Sequence, residues 1–412
     1  MGEVKNSQQM AQSVVAGSGA SKLAGVAIGL IVVGAALSVW LFSSDKHDFG
    51  FAWLWGFSFV WTIVMGALFL VALHHLSGAA WSTVIRRVAE MFASPIALIA
   101  LLFLPILAFC WLKDLTPFRW MTESDEILEK KAAYLNIPFF TVRGLVFFAL
   151  WILCARFFIN KSIKQDINGP DVVGTASMRK WAGPFMILFA FTCSFAAFDW
   201  LMSLDPHWFS TIYGVYIFAG MTLVALAVVT LSVVWLQAKG RMGDGIVRPD
   251  HLYSLGALMF TFTCFWGYIW FSQFMLIWYG NMPEETIWFT KRGWGPGGAD
   301  NNWLGVTVVL LFLRFVIPFF FLISRKTKTT PRLLVIASVL IIIGQVWDLY
   351  WLIMPQAEYY AKSPGPSLQL FGPIILMAGL LILMISRFLS SHRCVAVSDP
   401  LFDRSCRFEL TI

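Results

Sequence analysis

Ten long apolar runs, separated by shorter polar, glycine- and proline-bearing segments, set the pattern of this 412-residue chain. They fall at about 23–42, 51–76, 89–112, 139–159, 181–204, 208–236, 252–279, 303–324, 333–354 and 368–389. Each approaches or exceeds the roughly 20 residues that an α-helix needs to cross hydrocarbon. The pattern predicts an all-α integral membrane protein of about ten transmembrane helices. Residues 1–22, rich in Gln, Ser, Ala and Gly, read as a flexible tail. The first run is too long for a signal-peptide core and is expected to remain as a helix.

A weak internal repeat runs through the pattern. Asp45-Lys46-His47 precedes the second run as Asp205-Pro206-His207 precedes the sixth. Asp199-Trp200, near the end of the fifth, has a counterpart in Trp347-Asp348 of the ninth. On this reading residues 51–204 and 205–354 form two related four-helix bundles. A first flanking helix and loop (23–50) and a last flanking helix (355–390) lie beside them, with a second tail at 391–412. Such repeats are common in membrane transport and redox folds. Chance similarity between aromatic-rich helices is the rival account.

Composition agrees with the membrane class. The chain is 58% hydrophobic and only 13% charged, against about 25% charged in soluble domains. Its 20 Trp and 38 Phe suit headgroup belts and lipid-facing surfaces. The net charge of +7 belongs to the loops and reads as topology, not nucleic-acid binding. With a cytoplasmic N-terminus, 19 Lys and Arg fall in inner segments, among them Lys5, Arg86, Arg87, Arg179, Arg241 and Arg404. Only eight fall in outer ones: Lys46, Lys113, Arg119, Lys130, Lys131, Lys291, Arg292 and Lys362. The positive-inside rule then makes both termini cytoplasmic and turns the Asp205–His207 segment outward. Two long outer loops, about 113–138 and 280–302, either cover helix ends or dock an extracytoplasmic partner. The six cysteines form no CxxC or CxxCH, and four lie in apolar runs. No metal, covalent haem or iron–sulfur site is expected on this chain.

Charge inside the spans carries the chemistry. A central Asp, Lys or Arg costs roughly 2.5–3.5 kcal/mol on insertion scales, so each needs a partner, water or protein. Arg143, Arg156, Asp199, Arg314 and Asp348 are the candidates, with Arg143 placed to pair with Asp199 and Arg314 with Asp348. Proton relay and pure packing both fit these pairs. His207, beside Asp205, suits proton acceptance near neutral pH; the plainer account has Asp205 capping the sixth helix and His207 in solvent. His74 and His75, adjacent on a helix and so about 100° apart, cannot ligate one metal from the same face. With Glu90 they suit the inner mouth of a proton path, although a solvated helix-end charge is the plainer account of Glu90. Gln273, with Tyr268, Ser272 and Tyr279 on nearby turns, serves either as packing glue or as lining for a ring-shaped cavity.

Two stretches carry a family resemblance: SLDPHWFSTIYGVYIFAG (Ser203–Gly220) and FSQFMLIWYGNMPEET (Phe271–Thr286). The chain resembles the membrane subunits of alternative complex III, a bacterial quinol:cytochrome c (or other acceptor) oxidoreductase. Those subunits are related to the NrfD-like anchor of polysulfide reductase. The length and short tails are those of the smaller of the two such subunits. The resemblance implies a bacterial cytoplasmic-membrane complex with a paralogous NrfD-like subunit, a multihaem and a monohaem cytochrome, an iron–sulfur subunit and small membrane subunits. Haem and iron–sulfur clusters would sit on those partners. It further implies a quinol site near the extracytoplasmic face of the paralogue, matched here by Asp199, Asp205 and His207. Menaquinone or another quinone is the ligand such a site would take, with Gln273 and Tyr268 nearby. The implied function is a subunit that anchors redox partners and carries a proton path or a second quinone-like site. The path would run through His74, His75, Glu90, Arg143, Asp199, Asp205, His207, Arg314 and Asp348. A secondary transporter and a structural scaffold are the alternatives; a transporter predicts helices broken at matched positions in both halves.

Overall fold

A computed structural model describes residues 12–14, 20–112, 114–294, 302–357, 360 and 365–410. Lys5, Lys113 and Lys362, and parts of both predicted tails, lie outside the described residues. Within them the chain is helical, with no strand. The helices in order are α1 (Ala20–Ser44), α2 (Lys46–Ser77), α3 (Thr83–Ala93), α4 (Ile96–Phe109), α5 (Glu126–Lys131), α6 (Ile137–Asn168), α7 (Val172–Trp200) and α8 (Tyr213–Ala238). They continue as α9 (Pro249–Gly280), α10 (Pro283–Thr290), α11 (Trp303–Leu311), α12 (Ile317–Ile323), α13 (Arg325–Thr329), α14 (Pro331–Ile353), α15 (Gly372–Ser391) and α16 (Phe402–Cys406). Ten helical segments are long and apolar enough to span a membrane, α3–α4 and α11–α12 each forming one of them. The chain is a multi-pass membrane protein. An even number of crossings puts the first and last helices' outer ends on one side, here called the terminal end; the opposite side is the Asp205 end.

Polar side chains set the helix starts. Asp45 accepts from the Asp48 N–H at 3.0 Å, Asn136 from Phe139 at 2.9 Å and Asp171 from Gly174 at 2.8 Å, each satisfying an otherwise unpaired first-turn donor. Gly78, at φ +60°, ends α2 in the left-handed region, where a glycine carries no steric penalty.

α2 and α8 form the centre of the molecule and pack against each other along their length. A Cβ on Gly66 of α2 would stand 2.2 Å from the Met221 carbonyl oxygen of α8, so only glycine allows this approach. Around α2 gather α3, α4, α6 and α7; around α8 gather α9 and α14, with α11–α12 packed on those two. The first and last spans, α1 and α15, pair with each other on the flank of α2, with Gly34 of α1 against the Leu376 backbone of α15.

The two interiors differ. Trp61, Trp151 and Trp200 fill the first set, with Phe103 4.7 Å from Trp200 and Phe148 stacked on it at 5.7 Å. The second set places Tyr213, Tyr216, Arg314, Gln345 and Asp348 in its interior, all buried.

Candidate functional site

In the second set, Asp348 of α14 lies in the second-last turn of the helix, which ends at Ile353. It accepts a hydrogen bond from the Tyr216 hydroxyl of α8 and another from Trp266 Nε1 of α9 at 3.1 Å. Arg314 stands beside it, Nε 3.7 Å from Oδ2, too far for a hydrogen bond. The other guanidinium nitrogens donate to Gln345 Oε1, to the Ile341 carbonyl at 3.1 Å and to the Gly220 carbonyl at 3.2 Å. Arg314 sits in a π-helical turn, Phe312–Val316, between α11 and α12. Pro318 explains the turn, because it has no N–H to offer the Arg314 carbonyl and cannot continue the ordinary ladder. π-turns recur at functional sites for this reason: they re-aim one side chain.

The first set carries a matching pair of different geometry. Arg143 of α6 grips Asp199 of α7 with both prongs, Nε to Oδ2 at 2.7 Å and a terminal nitrogen to Oδ1 at 3.0 Å. Its plane stacks on Tyr134 and Phe139 at 3.9 and 4.2 Å, and it donates to the Tyr134 carbonyl at 3.0 Å. Both predicted partners therefore meet, one as a locked fork and one as a loose ion pair. A fork of two charge-assisted bonds fixes both groups; a carboxylate held at 3.7 Å by its cation and otherwise bound by a hydroxyl and an indole keeps proton exchange within reach.

The turn at the other predicted centre departs from expectation. Asp205 does not cap α8, which begins at Tyr213. It is buried, accepting from Lys291 Nζ at 2.7 Å and Gln356 Nε2 at 3.0 Å. Burial pushes its carboxyl up, but Lys291, Gln356 and Arg292 outweigh that and hold it below the ordinary 3.8. His207 turns away from Asp205 and meets Asp125 Oδ2 at 2.6 Å, both side chains more than a third exposed. Asp125 in turn caps α5, and the Leu128 and Ile127 N–H groups and His207 hold its carboxyl below the ordinary value. The long connections that carry α5 and α10 cover the Asp205 end: Lys131 donates to the Pro206 carbonyl at 2.6 Å, and Arg292 to the Trp351 and Leu352 carbonyls at 3.1 and 2.9 Å. The plainer reading of those loops, as covers for helix ends, describes the contacts.

Between this cover and Asp348 lies a cavity of about 10 Å³ lined by Tyr213, Tyr216, Gln273 and four tryptophans, room for about one water. Gln273 is drawn to Ser210, accepting from its Oγ at 2.5 Å. Tyr268 and Tyr279 are exposed on the outer face of α9 and take no part. Asp199, Asp205, His207, Gln273 and Tyr268 thus line no common pocket among the described residues. A larger cavity of about 750 Å³ opens beside them, walled by Phe271, Phe274, Trp278, Phe289 and Trp294 with Asn281 as its amide.

At the terminal end Glu90 is fully buried, not solvated. Arg86 Nε and Arg87 Nε reach its two oxygens at 3.0 and 3.1 Å, and Ser162 donates at 2.8 Å. Arg86 extends to Asp399 at 2.9 Å and Arg87 to Asp166 at 2.9 Å. Arg86, Arg87 and Arg241, counted from sequence as loop charges, are buried. His74 and His75 lie close by, with His74 Nδ1 and His75 Nε2 lacking a hydrogen-bond partner. His251 has both ring nitrogens engaged, by the Arg248 N–H and the Ser405 carbonyl. Arg156, the fifth predicted intramembrane charge, is exposed on the outer face of α6 and belongs to neither cluster.

Sequence reasoning missed Lys291, Gln356, Tyr216 and Trp266, which come from distant segments and carry no local signal. The Arg86/Arg87–Glu90 spacing of four and three residues is a legible helical pairing and could have been found. No protein-family model matches the chain, and no curated protein is similar to it.

Proposed function

We propose that this chain is a membrane subunit of a bacterial quinol-oxidising electron-transfer complex in the cytoplasmic membrane. Its tasks are to anchor extracytoplasmic redox subunits by its Asp205 end and to pass protons through its second four-helix set. The observation that carries the reading is the loosely paired Asp348 in that set's interior, with Tyr216 and a one-water cavity between it and the Asp205 end. Quinol oxidation releases two protons as its electrons depart, so such a complex has use for a buried carboxylate and phenol that can exchange them. The motifs Ser203–Gly220 and Phe271–Thr286 support the family assignment.

Within this reading Asp348 and Tyr216 hold and pass the proton, and Arg314 holds the local charge balance. Asp199, Asp205 and His207 are each taken by a separate ion pair, which supports a positioning role for them here. The ring-walled cavity beside Asn281 is the place a second quinone-like ligand would fit, having aromatic walls and few polar groups. Haem and iron–sulfur groups belong to partners. The transporter reading has less support, because the first set is interrupted between α3 and α4, in its second span, and the second set at the π-turn, in its third, so the breaks are not at matched positions.

The test is the intact complex. After gentle detergent extraction, haem-stained bands are expected to copurify with this chain. Asp348→Asn is expected to lower the proton-to-electron stoichiometry of reconstituted complex at full assembly. Unchanged stoichiometry and turnover would leave only the anchoring role.

A further inference from the structure

The terminal ends of α2 and α7 and the turn before α16 enclose a cavity of about 300 Å³. Three guanidinium side chains contribute to its wall, Arg86, Arg179 and Arg404, and no carboxylate does. Arg86 is neutralised from behind by Glu90 and Asp399. Arg179 and Arg404 make no ion pair among the described residues. His75, 4% exposed, lines the same cavity, and its Nε2 has no hydrogen-bond partner. Its ring is stacked on Phe158 at 5.5 Å and 13°, so the nitrogen is held in place. A buried ring nitrogen without a partner is costly in a folded protein. Two guanidiniums with no counter-charge line the same cavity as this ring.

We propose that this cavity binds a phosphate group. Guanidinium forks match phosphate oxygens two at a time, and several can share one tetrahedral oxyanion, whereas one fork already satisfies a carboxylate. His75 Nε2 donates in the tautomer that carries its proton there. The rest of the wall is mostly apolar, including Val172, Ala176, Pro400 and Leu401, with His74 and Thr175 as its other polar side chains, and the cavity lies where two spans end. A lipid phosphodiester at headgroup depth and a free phosphate share this chemistry. The inference stands independently of the proton path.

Full-length protein, stripped of lipid in detergent, would be titrated with inorganic phosphate and separately with phosphatidylglycerol. Native mass spectrometry and thermal unfolding would read the binding. The wild type is expected to take up a single equivalent, and Arg179→Gln/Arg404→Gln to bind roughly tenfold or more weakly. Both substituted side chains are exposed, so the variant is expected to unfold at the wild-type temperature without ligand. His75→Phe keeps the stacked ring, removes the nitrogen and is expected to weaken binding as well. Retention of phosphatidylglycerol alone would identify a lipid headgroup as the occupant; a response to both probes would identify a site for the bare phosphate group. Equal binding by the wild type and the double variant, or no binding of either probe, overturns the proposal.

Discussion

Asp199 and Asp348 occupy corresponding helices, yet their partners treat them differently. The fork from Arg143 leaves Asp199 no freedom, and removing either member strands a buried charge at a cost of about 3–5 kcal/mol. Asp199→Asn is therefore expected to lower folded yield and unfolding temperature. Arg143→Gln/Asp199→Asn should recover part of that loss, and thermal unfolding of the purified variants checks it. Asp205 gives a pH prediction. Its folded-state carboxyl lies below the ordinary 3.8, so its stabilising contribution is complete above that value. It is lost as pH falls through the depressed folded value. Lys291→Gln removes the main cation and is expected to move that acid loss to higher pH, which unfolding midpoints measured between pH 3 and 6 would show, at roughly the ordinary carboxylate range. Cys394 and Cys406, pushed up to about 11 by burial, are expected to resist alkylation at neutral pH until the chain unfolds. The Arg–Asp partnerships were legible because each charge stood alone in an apolar run and needed company. The fate of Asp205 was not, because its partners lie 86 and 151 residues away and leave no local signal.

Among the elements, apolar length located every span but not its polar ends. The predicted fourth run stops at residue 159, while α6 continues to Asn168. Its last turns expose Asn160 and Lys164 and bury Ser162 and Gln165, an amphipathic ending that a hydropathy count does not register. For the same reason α7 starts at Val172, nine residues before the predicted boundary. The sixth span shows the opposite error: residues 208–212 read as apolar but form the turn over which Trp208 stacks on Trp288 at 4.7 Å. Close approach governs the centre. Gly66→Leu is expected to push α2 and α8 apart, since the added Cβ alone would meet the Met221 carbonyl at 2.2 Å. The check is loss of the monodisperse peak in detergent size-exclusion chromatography, with Gly25→Leu, which meets nothing within 4 Å, as the control. Gly220→Ala is a finer probe, its Cβ falling 3.0 Å from an Arg314 nitrogen and 3.2 Å from Gln345 Oε1. It is expected to disturb the Asp348 site with little change in fold.

For the whole molecule, the asymmetry between the halves matters most. The structure holds one Arg–Asp pair in each set, Arg143–Asp199 and Arg314–Asp348. The sequence did not reveal that the second interior sets Tyr213 and Tyr216 among its tryptophans beside Asp348, because helix-facing direction depends on packing across distant segments. The pairing of α1 with α15 has a further consequence, for biogenesis. α1 finds its principal neighbour only when α15, nine crossings later, has been threaded into the bilayer. Until then α1 must wait in lipid or be shielded by an insertion factor. A nascent chain cut short before the tenth crossing would leave it orphaned, a state that quality-control proteases can recognise.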